Sequence, residues 1–297
     1  MNRIKGILYA AVSSSTFGLA PFFSITLLLA GFSAFEVLSY RWGVASIVLI
    51  VFGWLSGCNF RLAGKDWGVV FLLSLLRAVT SFSLIIAYQN IASGVASTIH
   101  FMYPLAVALA MMFFFREKKS LLVILAVLMS LLGAALLSLG ELEAKSGNTM
   151  VGLVAACVSV FSYAGYIVGV RTTRAVQINS TALTCYVMGL GTIFYLIGAY
   201  CTSGLQLVSD GYTWLIILGL ALPATAISNI TLVQAIKYAG PTLTSILGAM
   251  EPLTAVVIGV FVFKELFTVN SAVGIILILL AVSIVVFLWF EHLKRKE

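Results

Sequence analysis

Three ionisable residues, Arg77, His100 and Glu251, stand in stretches that are otherwise almost wholly apolar. Glu251 lies in "GAMEPL" (248–253), with no other charged residue between Lys237 and Lys264. His100 opens "HFMYPL" (100–105), so both stretches carry Met-x-Pro-Leu with an ionisable residue within four positions before the proline. A carboxylate in such surroundings can exchange protons, because burial raises its pKa and a nearby cation lowers it. An imidazole titrates near neutrality. A guanidinium stays charged and forks onto carboxylates. The set can therefore couple protons through Glu251 or His100, hold an anionic solute group on Arg77, or hold a cationic one on Glu251. Plainer roles remain open beside these: a Glu251–Arg77 pair that only locks helices, a protonated Glu251, and a histidine hydrogen-bonded in packing.

The elements that must position these residues follow from composition. Of 297 residues, 62% are hydrophobic and 9% charged, where a soluble domain carries about 25% charged residues. The chain is an integral membrane protein whose surface partner is the lipid bilayer. Charged and turn residues divide it into ten apolar segments, near 6–30, 34–56, 67–89, 92–115, 120–140, 151–171, 180–203, 212–236, 241–263 and 269–290. Each is close to the ~20 residues a helix needs to cross a ~30 Å hydrocarbon layer. No ten-residue alternation persists, and isolated strands cannot satisfy their backbone in lipid. The fold expected is all-α, with ten transmembrane helices.

Basic residues orient the spans. With the N-terminus in the cytoplasm, Arg3, Lys5, Arg61, Lys65, Arg116, Lys118, Lys119, Arg171, Arg174, Lys237, Lys294, Arg295 and Lys296 fall on the cytoplasmic side. Only Lys145 and Lys264 fall outside. Both termini are expected in the cytoplasm of a multi-pass protein of the cell membrane. The net charge of +7 is spread singly between apolar segments and offers no nucleic-acid footprint.

The halves repeat. A shift of 148 places Leu84, Ala87, Ser97, Met102, Pro104, Leu105, Phe113, Phe115 and Glu117 on identical residues. A shift of 146 aligns Gly6, Val12, Ser13, Tyr40 and Gly43 with Gly152, Val158, Ser159, Tyr186 and Gly189. Five helices per copy is an odd number, so the second copy enters from the opposite face. Inverted repeats of this kind enclose midplane sites in secondary transporters. The expected units are 1–144 and 145–297.

Local signals refine the site. Pro104 and Pro252 remove an N–H and crowd the carbonyl four residues back, freeing those of His100 and Gly248. Thr244, Gly248 and Glu251 share a helix face, as do Ser93, Ser97 and His100. Tyr103 and Tyr163 can bound an aromatic pocket, and Ser159, Ser162, Tyr163 and Tyr166 line one face of the sixth span. Asn229 aligns with Ser81 at the 148 shift. The substrate-binding candidates are thus Arg77, His100, Tyr103, Tyr163, Tyr166, Asn229 and Glu251. Arg41 reads as structural, paired with Glu36 one turn earlier, because Val187 replaces it in the second half. Trp42, Trp54, Trp67, Trp214 and Trp289 read as interfacial anchors.

"YPLAVALAMMFFFREK" and "EPLTAVVIGVFVFKEL" resemble the tail of the EamA repeat of the drug/metabolite transporter superfamily. "YRW" (40–42) resembles the arginine site near the start of its second helix. The resemblance spans the whole chain and implies ten helices and secondary transport or export of small organic solutes.

Cys58, Cys157, Cys185 and Cys201 show neither C-x-x-C spacing nor a histidine companion, so no metal site is expected. No phosphate-cradling loop appears, and no cofactor is expected. The leading expectation is a monomeric, non-enzymatic exporter of an amino-acid-like metabolite by alternating access. An organic-cation or drug exporter driven by proton antiport is the alternative. An intramembrane enzyme using His100 and Glu251 is a remote third.

Overall fold

In the hydrocarbon layer every backbone N–H and C=O must be satisfied within the chain, which leaves helices as the natural solution for apolar segments of this length. The computed structural model describes residues 2–91, 93–115, 121–138, 147–202, 204–254 and 268–294. Among the described residues all regular structure is helical. Among the described residues seven helices are long and apolar enough to cross a membrane: Ile4–Leu29, Ala34–Leu55, Gly64–Asn90, Val95–Phe114, Thr149–Thr172, Ser180–Cys201 and Gly211–Ala239. Leu121–Gly133 and Ala272–Ile284 are shorter apolar helices. The expected ninth span is described only as far as 254, and Arg116, Glu117, Lys118, Lys119, Lys145 and Lys264 lie outside the described residues.

Several spans are broken. The first consists of α1 (Asn2–Phe17) and α2 (Ala20–Leu29), separated at Gly18–Leu19 just before Pro21. After α3 (Ala34–Leu55) and α4 (Trp67–Asn90), the fourth span divides into α5 (Ser93–His100) and α6 (Tyr103–Phe114), with Pro104 in the first turn of α6. Helices α7 (Leu121–Ser138), α8 (Thr149–Thr172) and α9 (Ser180–Cys201) follow. The eighth span runs as α10 (Gly211–Ala221), a π-helical turn at Leu222–Ile227 containing Pro223, and α11 (Ser228–Ala239). Then α12 (Pro241–Leu247) breaks at Gly248–Ala249 before α13, which starts at 250, and α14 (Val269–Lys294) closes the chain. Proline is tolerated in a first helical turn because its missing N–H has no helical partner there anyway. The expected free carbonyl of Gly248 is not free. The Glu251 N–H takes it at 2.9 Å, tightening the break into a three-residue turn.

Long packings pair the halves. Helix α1 lies along α11 while α4 lies along α8; α3 pairs with α9, α7 with α14 and α6 with α12. Swapping the halves maps this set onto itself. One pair of bonds repeats the relation at atomic detail. The Tyr40 hydroxyl donates to the Gln206 carbonyl, and the Tyr186 hydroxyl donates to the Phe60 carbonyl at 2.7 Å. Phe60 and Gln206 are separated by the same 146 residues as the two tyrosines.

Two expectations need correction. Trp42 is no interfacial anchor: it is buried, edge-on to Tyr195 at 5.1 Å and pressed against Gly191. Trp54, Trp67 and Trp214 are exposed. Glu36 does not pair with Arg41. Its carboxylate accepts from the Ser33 N–H at 2.8 Å, closing a capping box at the start of α3, and from the Gln206 N–H at 2.7 Å.

A methyl group on Gly191 would sit 2.1 Å from the Trp42 ring, whereas one on Gly189, in the same helix, meets nothing within 4 Å. Gly191→Ala should cost about 1–3 kcal/mol through overpacking. Gly189→Ala should be neutral, or stabilising by up to about 1 kcal/mol from helix propensity. Thermal unfolding in detergent compares them, and equal melting temperatures would contradict the close approach.

Candidate functional site

Arg77 projects from the middle of α4 into the buried interior of the helix bundle. Arg77, His100, Tyr103, Tyr163, Tyr166 and Asn229 are each at most 3% exposed. The Arg77 Nε donates to Asn229 Oδ1 at 3.1 Å, and Nη1 reaches the Ser81 hydroxyl at 3.4 Å. The aligned polar pair Ser81 and Asn229 therefore converges on one guanidinium. Asn229 is itself oriented, since its amide nitrogen donates to the Thr225 carbonyl at 2.7 Å within the widened turn of the eighth span. Aromatic faces complete the cradle. The guanidinium carbon lies 4.9 Å from the Tyr163 ring centre, 5.1 Å from Phe17 and 5.9 Å from Tyr166. Such contacts are worth about 2 kcal/mol when desolvated.

No carboxylate of a described residue comes within 4.0 Å of Arg77. The expected Glu251–Arg77 pair is not formed in this arrangement, although the two groups lie within electrostatic range. Glu251 is half-buried, and its carboxylate makes no hydrogen bond to a described residue. Its backbone carbonyl lies 2.6 Å from where a Cβ on Gly18 would stand, so the break in the first span admits α13 closely.

His100 ends α5 and lies 5.4 Å from the rings of both Tyr103 and Tyr163. The Ser159 hydroxyl gives its proton to the Ala156 carbonyl at 2.6 Å. His100 Nδ1, 2.8 Å from the same oxygen, therefore donates to it, and Nε2 is left without a partner among the described residues. Tyr103 and Tyr163 meet edge-to-face at 4.6 Å, and Tyr163 stacks in parallel with Tyr166 at 6.5 Å. The Tyr103 hydroxyl rests on Gly248, 1.8 Å from where a Cβ would be, so the α12–α13 break is where α6 crosses. The buried hydroxyls of Tyr166 and Thr244 have no partner among the described residues.

Arg41 lies in this region too, held by the eighth span rather than by Glu36. It is buried, donates from Nε to Thr225 Oγ1 at 2.7 Å and from Nη2 to the Ala224 carbonyl at 3.3 Å, and lies 5.5 Å from the Phe17 ring centre. Its charge inside a span was the available signal, and the valine at the matching position of the second half pointed away from it. Phe17 carried no signal, being one of twenty phenylalanines. Chemically the cluster can bind and orient a small polar solute: two guanidiniums supply anion-binding donors, one half-buried carboxylate supplies an acceptor, and tyrosine rings close the walls.

The two unequal hydroxyls offer a check. Tyr195 donates to the Ala78 carbonyl at 2.8 Å, while Tyr166 finds no acceptor among the described residues. Tyr195→Phe should lower the melting temperature through a loss of about 0.6–1.7 kcal/mol of stability, the scale of membrane hydrogen bonds. Tyr166→Phe should leave it unchanged in solute-free detergent solution, and an equal fall in both would mean that Tyr166 is bonded after all.

Comparison with known proteins agrees with the architecture. A solved crystal structure superposes with a TM-score of 0.79 over 97% of this chain and 98% of that one, at 17% identity, a likeness that speaks to the fold alone. An uncharacterized transporter of Archaeoglobus fulgidus is 28% identical over 238 residues, 79% of this chain and 83% of that protein. The family description "EamA-like transporter family" matches twice, over residues 4–139 and 150–287. Two tandem matches over most of its length place the chain, a multi-pass membrane protein, in the EamA-like transporter family.

Proposed function

We propose that the protein is a secondary active transporter, an exporter of a small amino-acid-like metabolite, working by alternating access. The observation that carries this reading is Arg77: a buried guanidinium held by neutral partners, with no carboxylate of a described residue at ion-pair distance. A charge at this depth costs roughly 2.5–3.5 kcal/mol even on the lenient insertion scale, and a solute carboxylate would offset that cost. The organic-cation alternative finds less support, because the aromatic faces that would hold an ammonium already hold Arg77. Family membership points to transport rather than to catalysis.

In this reading ten helices form two inverted repeats, 1–144 and 145–297, within one monomer in the cell membrane, both termini in the cytoplasm. Paired packings and the twin tyrosine bonds support the two-fold relation. The breaks at Gly18, Phe101–Met102 and Gly248–Ala249 act as hinges that part the tyrosine walls from alternate sides. Glu251, adjoining two of them, couples protons to solute movement.

Counterflow in proteoliposomes tests the proposal. Vesicles loaded with unlabelled amino acids should accumulate labelled ones, and Arg77→Gln should slow exchange at least about tenfold, as expected for a lost charged hydrogen bond. Wild-type exchange in Arg77→Gln would remove Arg77 from recognition. Glu251→Gln should keep some exchange but lose its response to an imposed pH gradient. A gradient response equal to wild type would end the coupling role.

A further inference from the structure

Two buried guanidiniums share one ring. Arg77 and Arg41 lie 5.1 and 5.5 Å from the centre of Phe17, and neither meets a carboxylate of a described residue within 4.0 Å. Each uses two donors on the protein: Arg77 on Asn229 and Ser81, Arg41 on Thr225 and Ala224. A guanidinium has five, so three donors on each find no acceptor among the described residues. Glu36, the carboxylate nearest Arg41 in sequence, is occupied by the Ser33 and Gln206 N–H groups. Glu251 approaches this region through its backbone carbonyl, which abuts Gly18 next to Phe17, and its side chain is unpaired among the described residues.

We infer that the solute is an acidic amino acid, with its two carboxylates on Arg77 and Arg41 and its ammonium on Glu251. This rests on the transporter reading and narrows its substrate class. A neutral amino acid would leave one guanidinium unpaired in a water-excluding site, where an isolated charge is strongly disfavoured. A dicarboxylate without an amine would leave Glu251 unpaired, and an amine alone would leave both arginines so. Arg41 then sets specificity while Arg77 provides the binding common to all amino acids. Glu251 carries the solute ammonium or a proton in turn.

The test is counterflow of labelled L-glutamate in proteoliposomes of the purified chain, with unlabelled L-aspartate, L-leucine, succinate and putrescine as competitors. Aspartate should compete at least about tenfold better than the other three, a difference of one well-formed charge contact. Arg41→Gln should shift the glutamate-to-leucine preference about tenfold toward leucine, and Arg41→Lys should retain the acidic preference. The wild-type panel decides the class even if Arg41→Gln fails to fold. Better competition by leucine, succinate or putrescine, or an unchanged preference in folded Arg41→Gln, overturns the inference. Leucine exchange without glutamate exchange would do so while leaving the amino-acid transporter standing. Absence of flux for every amino acid would remove both.

Discussion

A guanidinium kept from water is the constraint around which the molecule is arranged. Removing an ion from water costs several kcal/mol after relaxation, and Arg77 offsets this with two hydrogen bonds and three aromatic faces. Those partners come from α1, α4, α8 and α11, so four helices from both halves are tied at one point. Asn229 presents its Oδ1 to Arg77 with its amide nitrogen fixed on the Thr225 carbonyl at 2.7 Å.

The same economy explains where helices break. Proline and glycine interrupt α1–α2, α5–α6 and α12–α13 at the depth of the cluster, and the pieces meet at distances that a side chain would forbid. Gly18 lies against the Glu251 carbonyl, and Gly248 lies under the Tyr103 hydroxyl. Non-helical backbone at membrane depth survives only when protein or a cavity covers it, and here each break is covered by another. The breaks bring together ionisable groups that continuous helices would keep on separate stripes.

The scaffold is two-fold and the site is not. Tyr40 and Tyr186 make equivalent bonds to equivalent loops. At the site, Arg77 matches Thr225, His100 matches Gly248, Tyr103 matches Glu251 and Arg41 matches Val187. The buried ionisable groups sit where the copies diverge, in one case with a large group of one half, Tyr103, resting on a small one of the other, Gly248. Duplication supplies the paired frame, and divergence supplies one asymmetric cluster of buried polar groups within it.

Much of this was legible in the chain itself. Apolar segments of bilayer length dictate helices because lipid offers the backbone no partners, and charges within them stand out because lipid penalises them. Arg77, His100, Glu251, Asn229 and the tyrosines could therefore be named from residue type and depth alone. Pairing could not. Glu36 seemed Arg41's partner by spacing along α3, yet its carboxylate turned to the Gln206 N–H, a group 170 residues away. Trp42 stood where an anchor would, but Gly191 opened a slot for it. Phe17, which both arginines share, was one apolar residue among many. One-dimensional order carries period, depth and charge, which local physics determines. Which side chains meet depends on how the helices cross and where they break, and only the folded chain decided that.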